Sequence, residues 1–270
     1  MGLLKVIGKE GTGEVEFKYP CGLAIGKEDG RLLIADSDNN RIQILDEELV
    51  FMKHMYFTQF KQKCSPFGVT SSNGKYFMTD RGNSQVIVSD YDGDVLGVFG
   101  NDRFKDPRGI CVSPFDGQLY VADFEKDTIE IYTIEGVHVR SLSWECLGRG
   151  QLDGPCCLDI DEKGTLYVAD HDNHCVQVFD SQYRHVHSIG GGGQYAGQLC
   201  YPKGVVVDTQ GNVYVTDEKS MVQKFYGGTG ELIRRLDIGN LNWPCGITLT
   251  ADNRVVVADN SNHCIKVFSQ

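Results

Sequence analysis

One short segment recurs along this chain at a nearly constant interval. Each copy follows a β-rich stretch that ends in an aspartate, and a proline precedes that aspartate by about fifteen residues. The aspartates are Asp36, Asp80, Asp123, Asp170, Asp217 and Asp259, and the prolines are Pro20, Pro66, Pro107, Pro155, Pro202 and Pro244. Successive prolines are 46, 41, 48, 47 and 42 residues apart. A period of about 45 residues over the whole chain indicates a repeat protein.

Each period predicts four short antiparallel strands, called a to d here. Strand a follows the proline, strand b ends in the aspartate, and strand c alternates as in Val176-Gln177-Val178-Phe179. Turns with glycine separate a from b and c from d. No helical period occurs, and a β-sandwich would not explain the repeat length. The sequence therefore predicts an all-β fold, a six-bladed β-propeller of four-stranded blades.

The two ends of the chain predict how the ring closes. Strand c of the last copy ends at Phe268, and the chain stops just after it, at Gln270. It begins with Leu3 to Gly8, a segment that matches the strand d sequence from Val95 to Gly100. We expect this N-terminal segment to complete the last blade, so that residues 1–270 form a single domain and residues 1–8 contribute strongly to its stability.

Composition narrows the classes of partner and the compartment. The net charge of -11 argues against non-specific binding to nucleic acid or to an anionic membrane. No apolar run is long enough to span a bilayer, and the N-terminus lacks the pattern of a signal peptide. We expect a cytoplasmic domain that has no membrane partner.

The ten cysteines predict reduced thiols and no disulfide framework. Several occupy equivalent places in different repeats, such as Cys21 and Cys245, and we expect equivalent positions to lie too far apart on the ring to pair. Buried thiols in a cytosolic protein are then the favoured interpretation. No Cys-x-x-Cys pair occurs, which argues against a zinc site.

The segments Asp170-His-Asp-Asn-His-Cys-Val-Gln-Val-Phe179 and Asp259-Asn-Ser-Asn-His-Cys-Ile-Lys-Val-Phe268 resemble NHL repeats, as does the copy that begins at Asp36. The Pro-x-Gly before strand a fits the same family, although the fourth repeat has Pro155-Cys156-Cys157 instead. The resemblance covers the whole chain and extends to the C-terminal propeller of tripartite-motif ubiquitin ligases. It implies a recognition module that binds a protein or RNA, and it implies no cofactor.

Charge is distributed unevenly between the two faces of the predicted ring. The a–b and c–d turns form one face, here called the lower face, which carries most of the acidic excess. The b–c and d–a loops form the opposite face, called the upper face. There, six basic residues are interleaved with four phenylalanines against Asp102 and Asp106. This predicted patch consists of Phe60, Lys61, Lys63, Phe67, Arg81, Arg103, Phe104, Lys105, Arg108 and Phe124.

The predicted patch suits two kinds of partner. Arginine and aromatic residues are common anchors of protein interfaces, and the acidic total and the small size of the patch favour a protein partner. The basic residues would also attract phosphate, and the aromatic residues between them would offer stacking surfaces for the nucleobases of single-stranded RNA. The alternative is that the phenylalanines pack between blades and the bases are merely solvated.

The residues give little support for an enzymatic function. The repeated aspartates each begin a tight turn, so we expect them to accept backbone N–H bonds as part of the scaffold. The histidines do not converge as a metal-dependent lyase of the amidating type would require. A lactonase would need Glu, Asp and Asn side chains that point toward the axis, and the loop sequences give no sign of such a set. We therefore expect no catalytic residue, no metal, no cofactor and no small-molecule substrate.

Overall fold

The propeller predicted from the repeat is confirmed. The structure is a computed structural model that describes residues 2–60, 62–143, 147–193, 195–219, 221–236 and 240–269. Six four-stranded antiparallel sheets form the blades of a ring. A short parallel pair, β2 (Lys9–Glu10) and β3 (Glu16–Phe17), precedes blade 1, and the described 3₁₀ turns are Ser37–Asn39, Gly148–Gly150 and Asn260–Asn262.

The blades follow one another in chain order, with strand a innermost. Blade 1 is β4 (Pro20–Ile25), β5 (Leu32–Asp36), β6 (Arg41–Leu45) and β7 (Phe51–Tyr56). Blade 2 is β8 (Pro66–Ser72), β9 (Lys75–Asp80), β10 (Gln85–Asp90) and β11 (Val95–Phe99). Blade 3 is β12 (Pro107–Val112), β13 (Leu119–Asp123), β14 (Thr128–Tyr132) and β15 (His138–Leu142).

The second half of the ring repeats this order. Blade 4 is β16 (Pro155–Ile160), β17 (Leu166–Asp170), β18 (Cys175–Phe179) and β19 (His185–Gly190). Blade 5 is β20 (Pro202–Val207), β21 (Asn212–Asp217), β22 (Met221–Tyr226) and β23 (Leu232–Leu236). Blade 6 is β24 (Pro244–Leu249), β25 (Val255–Asp259), β26 (Cys264–Phe268) and β1 (Leu3–Ile7).

The N-terminal strand completes blade 6, as its sequence predicts. Strand β1 pairs antiparallel with β26, and Ile7 lies opposite Ile265. The Gly2 N–H donates to the Ser269 hydroxyl, and the Ser269 N–H donates to the Gly2 carbonyl. Ile7 is buried against residues of blades 1 and 6, whereas its neighbour Val6 is half exposed. The first strand therefore covers the edge that β26 would otherwise leave open.

Apolar side chains fill the spaces between consecutive blades. One buried cluster joins Leu33 and Ile44 of blade 1 to Met78 and Ile87 of blade 2, and similar clusters follow around the ring. Near the axis, glycine lets the inner strands approach very closely. A Cβ built on Gly22 would lie 2.2 Å from the Phe67 carbonyl oxygen of the next blade. Each blade is thus held mainly by its two neighbours.

We expect Ile7→Ala to lower the free energy of unfolding by about 2–5 kcal/mol, because it leaves a cavity at the closing seam. The matched variant Val6→Ala alters an exposed side chain on the same strand and should change it by less than about 0.5 kcal/mol. Urea unfolding of the two variants measures the difference. Equal stabilities would contradict the role assigned to β1 in closing the ring.

Candidate functional site

The repeated aspartates anchor the loops of the upper face. The Asp36 carboxylate accepts the Lys18 N–H at 2.7 Å and the Asn39 side-chain amide at 2.9 Å. The same amide donates to the Gly11 carbonyl in the loop that enters blade 1. Equivalent Asp–Asn pairs hold the loops before blades 2, 4 and 6, and they are Asp80–Asn83, Asp170–Asn173 and Asp259–Asn262. The predicted scaffold role of the aspartates is confirmed.

Burial opposes ionisation of several of these carboxyl groups. It raises the pKa of Asp170 and of Asp217 to about 6, and the donors around each group offset only part of the cost of leaving water. The Asp36 carboxylate instead has the buried Arg41 guanidinium as its partner at 2.7 Å. The aspartates therefore differ in charge balance while sharing one structural role.

The repeat histidines hold the residue that precedes the proline of the next blade. His174 accepts the Tyr201 N–H at its Nδ1, and His263 accepts the Tyr19 N–H in the same way, at 3.1 and 3.2 Å. Each imidazole also meets the tyrosine ring edge-on, with centroids 4.2 and 4.6 Å apart. The histidines thus fix both the backbone and the side chain of their partners.

Three of the six residues that precede the blade prolines are aromatic, lie in the left-handed region and are exposed. Tyr19, Tyr201 and Trp243 have φ values of 48°, 50° and 53°. Their exposed fractions are 44%, 37% and 50%. A side chain in this conformation costs about 1–2 kcal/mol, and Gly154 occupies the equivalent place in blade 4. Such strain is concentrated at functional sites and persists only where the surroundings enforce it.

Charged and aromatic side chains connect two of these positions, Tyr201 and Trp243, across the upper face. The Lys203 ammonium lies 4.4 Å from the centre of the Trp243 ring and 3.1 Å from the Glu218 carboxylate. His171 lies 3.7 Å from the same carboxylate, and its ring contacts Tyr201. We call Tyr19, Tyr201, Trp243, Lys203 and His171 the aromatic cluster.

The predicted patch meets the aromatic cluster through Phe124. Its ring contacts His171 with centroids 5.6 Å apart, and the Arg108 guanidinium carbon lies 3.3 Å from the centre of the same ring. Arg108 and Arg81 share the Asp106 carboxylate, at 3.0 and 2.5 Å. Blades 2 and 3 thus contribute a paired cationic region, which Phe124 and His171 join to the aromatics of blades 5 and 6.

The structure brings only part of the predicted patch to the surface. Lys63, Arg81, Arg103 and Lys105 are exposed, while Phe60, Arg108 and Phe124 are half-buried. Phe104 is buried against Tyr132 in the core between blades 2 and 3, so its expected role as a stacking surface is wrong. Phe67 is buried near the axis, beneath the two arginines. Lys61 lies outside the described residues.

The sequence contained a signal for the aromatic cluster that motif reasoning missed. The residues directly before the prolines are Tyr19, Ser65, Asp106, Gly154, Tyr201 and Trp243. Aligning the repeats at this position reveals three aromatics on consecutive blades. Their exposure follows from the backbone conformation, which only the structure gives.

Four cysteines converge near the axis, and this corrects an expectation from the sequence. Cys21, Cys156 and Cys245 pack together with Phe67, and Cys157 packs against them. Equivalent positions lie close together here because the inner strands converge. The nine described cysteines are free thiols, and Cys146 lies outside the described residues.

A central channel runs below this cysteine group. Its cavity of about 760 Å³ is lined by the inner strands, from Gly22 and Gly246 to residues of the a–b turns such as Asp161. Burial raises the pKa of the lining residue Asp159 to about 6. Among the described residues, no group of three or more His, Cys, Asp or Glu side chains is arranged to hold a metal ion. The described part of the chain also contains no helix suited to cross a membrane.

Sequence comparison matches the NHL repeat model at residues 17–45, 152–179, 199–221 and 241–268. The chain is an NHL-repeat protein. This NHL propeller is 26% identical over 141 residues to the B-box type zinc finger protein ncl-1 of Caenorhabditis elegans. The match covers 50% of this chain and 16% of that protein, so the chain corresponds to a small part of its relative.

Solved structures share the fold of this NHL propeller at low sequence identity. Virginiamycin B lyase from Staphylococcus aureus, solved with quinupristin, has a TM-score of 0.68 at 15% identity, covering 94% of this chain and 85% of that chain. A chain of a nidogen/laminin complex has a TM-score of 0.65 at 20% identity, covering 84% of this chain and 83% of its own length. These likenesses establish the architecture alone.

Replacing an exposed strained aromatic with glycine should barely change the stability of this NHL propeller. Tyr201→Gly and Trp243→Gly each remove contacts but also release the left-handed strain, so we expect losses of no more than about 1 kcal/mol in urea unfolding. The core variant Phe225→Ala is the contrast and should lose about 3–5 kcal/mol. Comparable losses in all three variants would assign the exposed aromatics a packing role.

Proposed function

We propose that this NHL propeller is a non-enzymatic recognition module that binds a protein partner through the upper face. The observation that carries the proposal is the set of exposed aromatic residues held in a strained conformation, Tyr19, Tyr201 and Trp243. Rigid aromatic side chains bury a large area at little entropic cost, which makes them frequent interface anchors. Histidine clamps pre-organise two of them before a partner arrives.

A protein partner is favoured over RNA by the pairing of charges on this face. Asp106 neutralises part of the charge of Arg81 and Arg108, and Glu218 pairs with Lys203. Cations that already have carboxylate partners contribute less to the release of counterions from a phosphate backbone. The net charge of -11 further disfavours a polyanion.

RNA remains the second candidate because three basic residues of the predicted patch differ from these paired cations. Within the described residues, Lys63, Arg103 and Lys105 have no ion-pair partner, and all three are exposed. Beside them, Phe124 and the aromatic cluster would supply stacking surfaces for unpaired bases. Binding through these residues would depend steeply on salt.

The propeller is proposed to act within a longer tripartite-motif type ubiquitin ligase in the cytoplasm, where it would select the substrate. Support for this context is the resemblance of the repeats and the partial match to a B-box type zinc finger protein. A lyase or lactonase activity is the distant alternative. The shared fold of the virginiamycin B lyase gives it no residue-level support at 15% identity.

The proposal is tested by affinity capture with matched surface variants. The test variant combines Tyr19→Gly, Tyr201→Gly and Trp243→Gly, and the control combines Phe115→Ala and Tyr226→Ala, which alter exposed aromatics next to lower-face turns. The lysate is treated with ribonuclease. We expect the amount of each protein captured by both the wild type and the control to fall at least tenfold with the test variant. Such a loss corresponds to about 1.4 kcal/mol of binding free energy.

A parallel assay separates the two candidates. Fluorescence anisotropy of the domain is measured against a short randomised RNA pool at about 0.15 M salt, with Lys63, Arg103 and Lys105 changed to Glu in a variant. Micromolar binding that weakens with salt and disappears in this variant would replace the protein proposal with RNA binding. Capture that is equal for the test variant and the control would contradict a role for the aromatic cluster.

A further inference from the structure

The residues that directly follow the blade prolines form a ring around the axis beneath the upper face. In blade order they are Cys21, Phe67, Arg108, Cys156, Lys203 and Cys245. The described thiols among them pack together, and Cys21 and Cys245 are the two that lie on neighbouring blades. These two blades, 1 and 6, meet where the ring closes.

The inner strands that carry these two cysteines are in close contact. A Cβ built on Gly246 of β24 would lie 2.3 Å from the Cys21 carbonyl oxygen and 3.1 Å from the Cα of Gly22 in β4. Gly22 and Gly246 directly follow the two cysteines. Their close contact brings the cysteine side chains together at the axis. Both are largely buried, and Cys21 retains 8% exposure against 3% for Cys245.

The surroundings of Cys21 favour the thiolate form more than the surroundings of Cys245 do. Its sulfur accepts a hydrogen bond from the Asn260 amide, with Nδ2 3.5 Å from Sγ. The neighbouring Cys245 thiol lowers the pKa of Cys21, against the opposing effect of burial, with smaller contributions from the Ser37 hydroxyl and the Lys203 ammonium. The same interaction, together with burial, raises the pKa of Cys245. One cysteine is thus suited to attack and the other to resolve.

We propose that Cys21 and Cys245 form a redox modification site, in which a peroxide converts them to a disulfide that staples blade 1 to blade 6. The Cys21 thiolate attacks one oxygen of hydrogen peroxide, which breaks the O–O bond, gives a sulfenic acid and releases hydroxide. The Cys245 sulfur then attacks the Cys21 sulfur and displaces a second hydroxide. The thiol protons convert both hydroxides to water, so two thiols and one peroxide give one disulfide and two waters.

The other cysteines of the group are less well placed to join two neighbouring blades. Cys156 and Cys157 are consecutive residues of strand β16, so a bond between them would not join two blades. In the ring of residues that follow the prolines, Cys156 stands between Arg108 and Lys203 and has no thiol on a neighbouring blade. The Cys157 thiol and the Arg108 guanidinium, whose Nη1 lies 4.0 Å from the sulfur, lower the pKa of Cys156 to about 6, but this sulfur is fully buried and has no partner thiol across a blade boundary.

The experiment uses the folded, reduced chain treated with hydrogen peroxide and then with N-ethylmaleimide. Peptide mapping by mass spectrometry should find a cross-linked pair containing residues 21 and 245, with the loss of two hydrogen atoms. Because the bond closes a loop that spans most of the chain, we expect Tm to rise by about 5–10 °C and to return to its starting value with dithiothreitol.

Two variants make the assignment specific. Cys245→Ser should leave a Cys21 sulfenic acid that dimedone traps, without a rise in Tm, and Cys245→Ala repeats the test without the serine hydroxyl. Cys200→Ser removes a half-buried cysteine outside the group and should respond as the wild type does. A disulfide between any other pair, dimedone labelling of Cys200 before Cys21, or no oxidation of Cys21 in the folded chain would overturn the proposal.

Discussion

The close approach of the inner strands is the constraint on which the rest of this structure depends. Glycine in the Pro-x-Gly segments leaves room for the backbone of the next blade, as Gly22, Gly68, Gly109, Gly204 and Gly246 do. Strands this close bring the residues after the prolines to the axis and place those before them on the upper face. Blade 4 is the exception, because Cys157 stands where the others have glycine, and it lines the channel.

The polar residues of the repeat convert this packing into a defined surface. Asp259 and Asn262 hold the loop that enters blade 6, and His263 of that blade holds Tyr19 of blade 1. The first contacts are local to blade 6, whereas the contact between His263 and Tyr19 joins residues that are 244 positions apart in sequence but adjacent in the ring. Left-handed aromatics are costly in isolation, and this network of hydrogen bonds keeps them in place. The recognition surface is therefore built by residues that also serve stability.

The repeat period predicted most of the fold because every blade obeys the same geometric rules. Proline and aspartate mark strand ends that the structure reproduces, as in the pairing of Pro20 with Asp36. The site was less predictable. Charge and aromatic content selected Phe104, but sequence could not distinguish a core ring from an exposed one. Tyr201 and Trp243 were missed because their exposure depends on positive φ angles.

The cysteines illustrate a second limit of sequence reasoning. Equivalent positions in different blades are far apart at the rim of a ring and close at its axis, so spacing alone gave the wrong distance for Cys21 and Cys245. Radial position is set by strand order within the blade. Once strand a is known to be innermost, the residue after each proline can be placed at the axis.

The most direct test of this account is the stability of Gly246→Ala compared with Gly97→Ala. A Cβ on Gly246 would meet the Cys21 carbonyl oxygen at 2.3 Å, whereas a Cβ on Gly97, in an outer strand, would meet no atom within 4 Å. We predict that urea unfolding finds a loss of about 1–3 kcal/mol or more for Gly246→Ala and no loss for Gly97→Ala. Equal stability of the two variants would contradict the claim that the contact between inner strands sets the architecture.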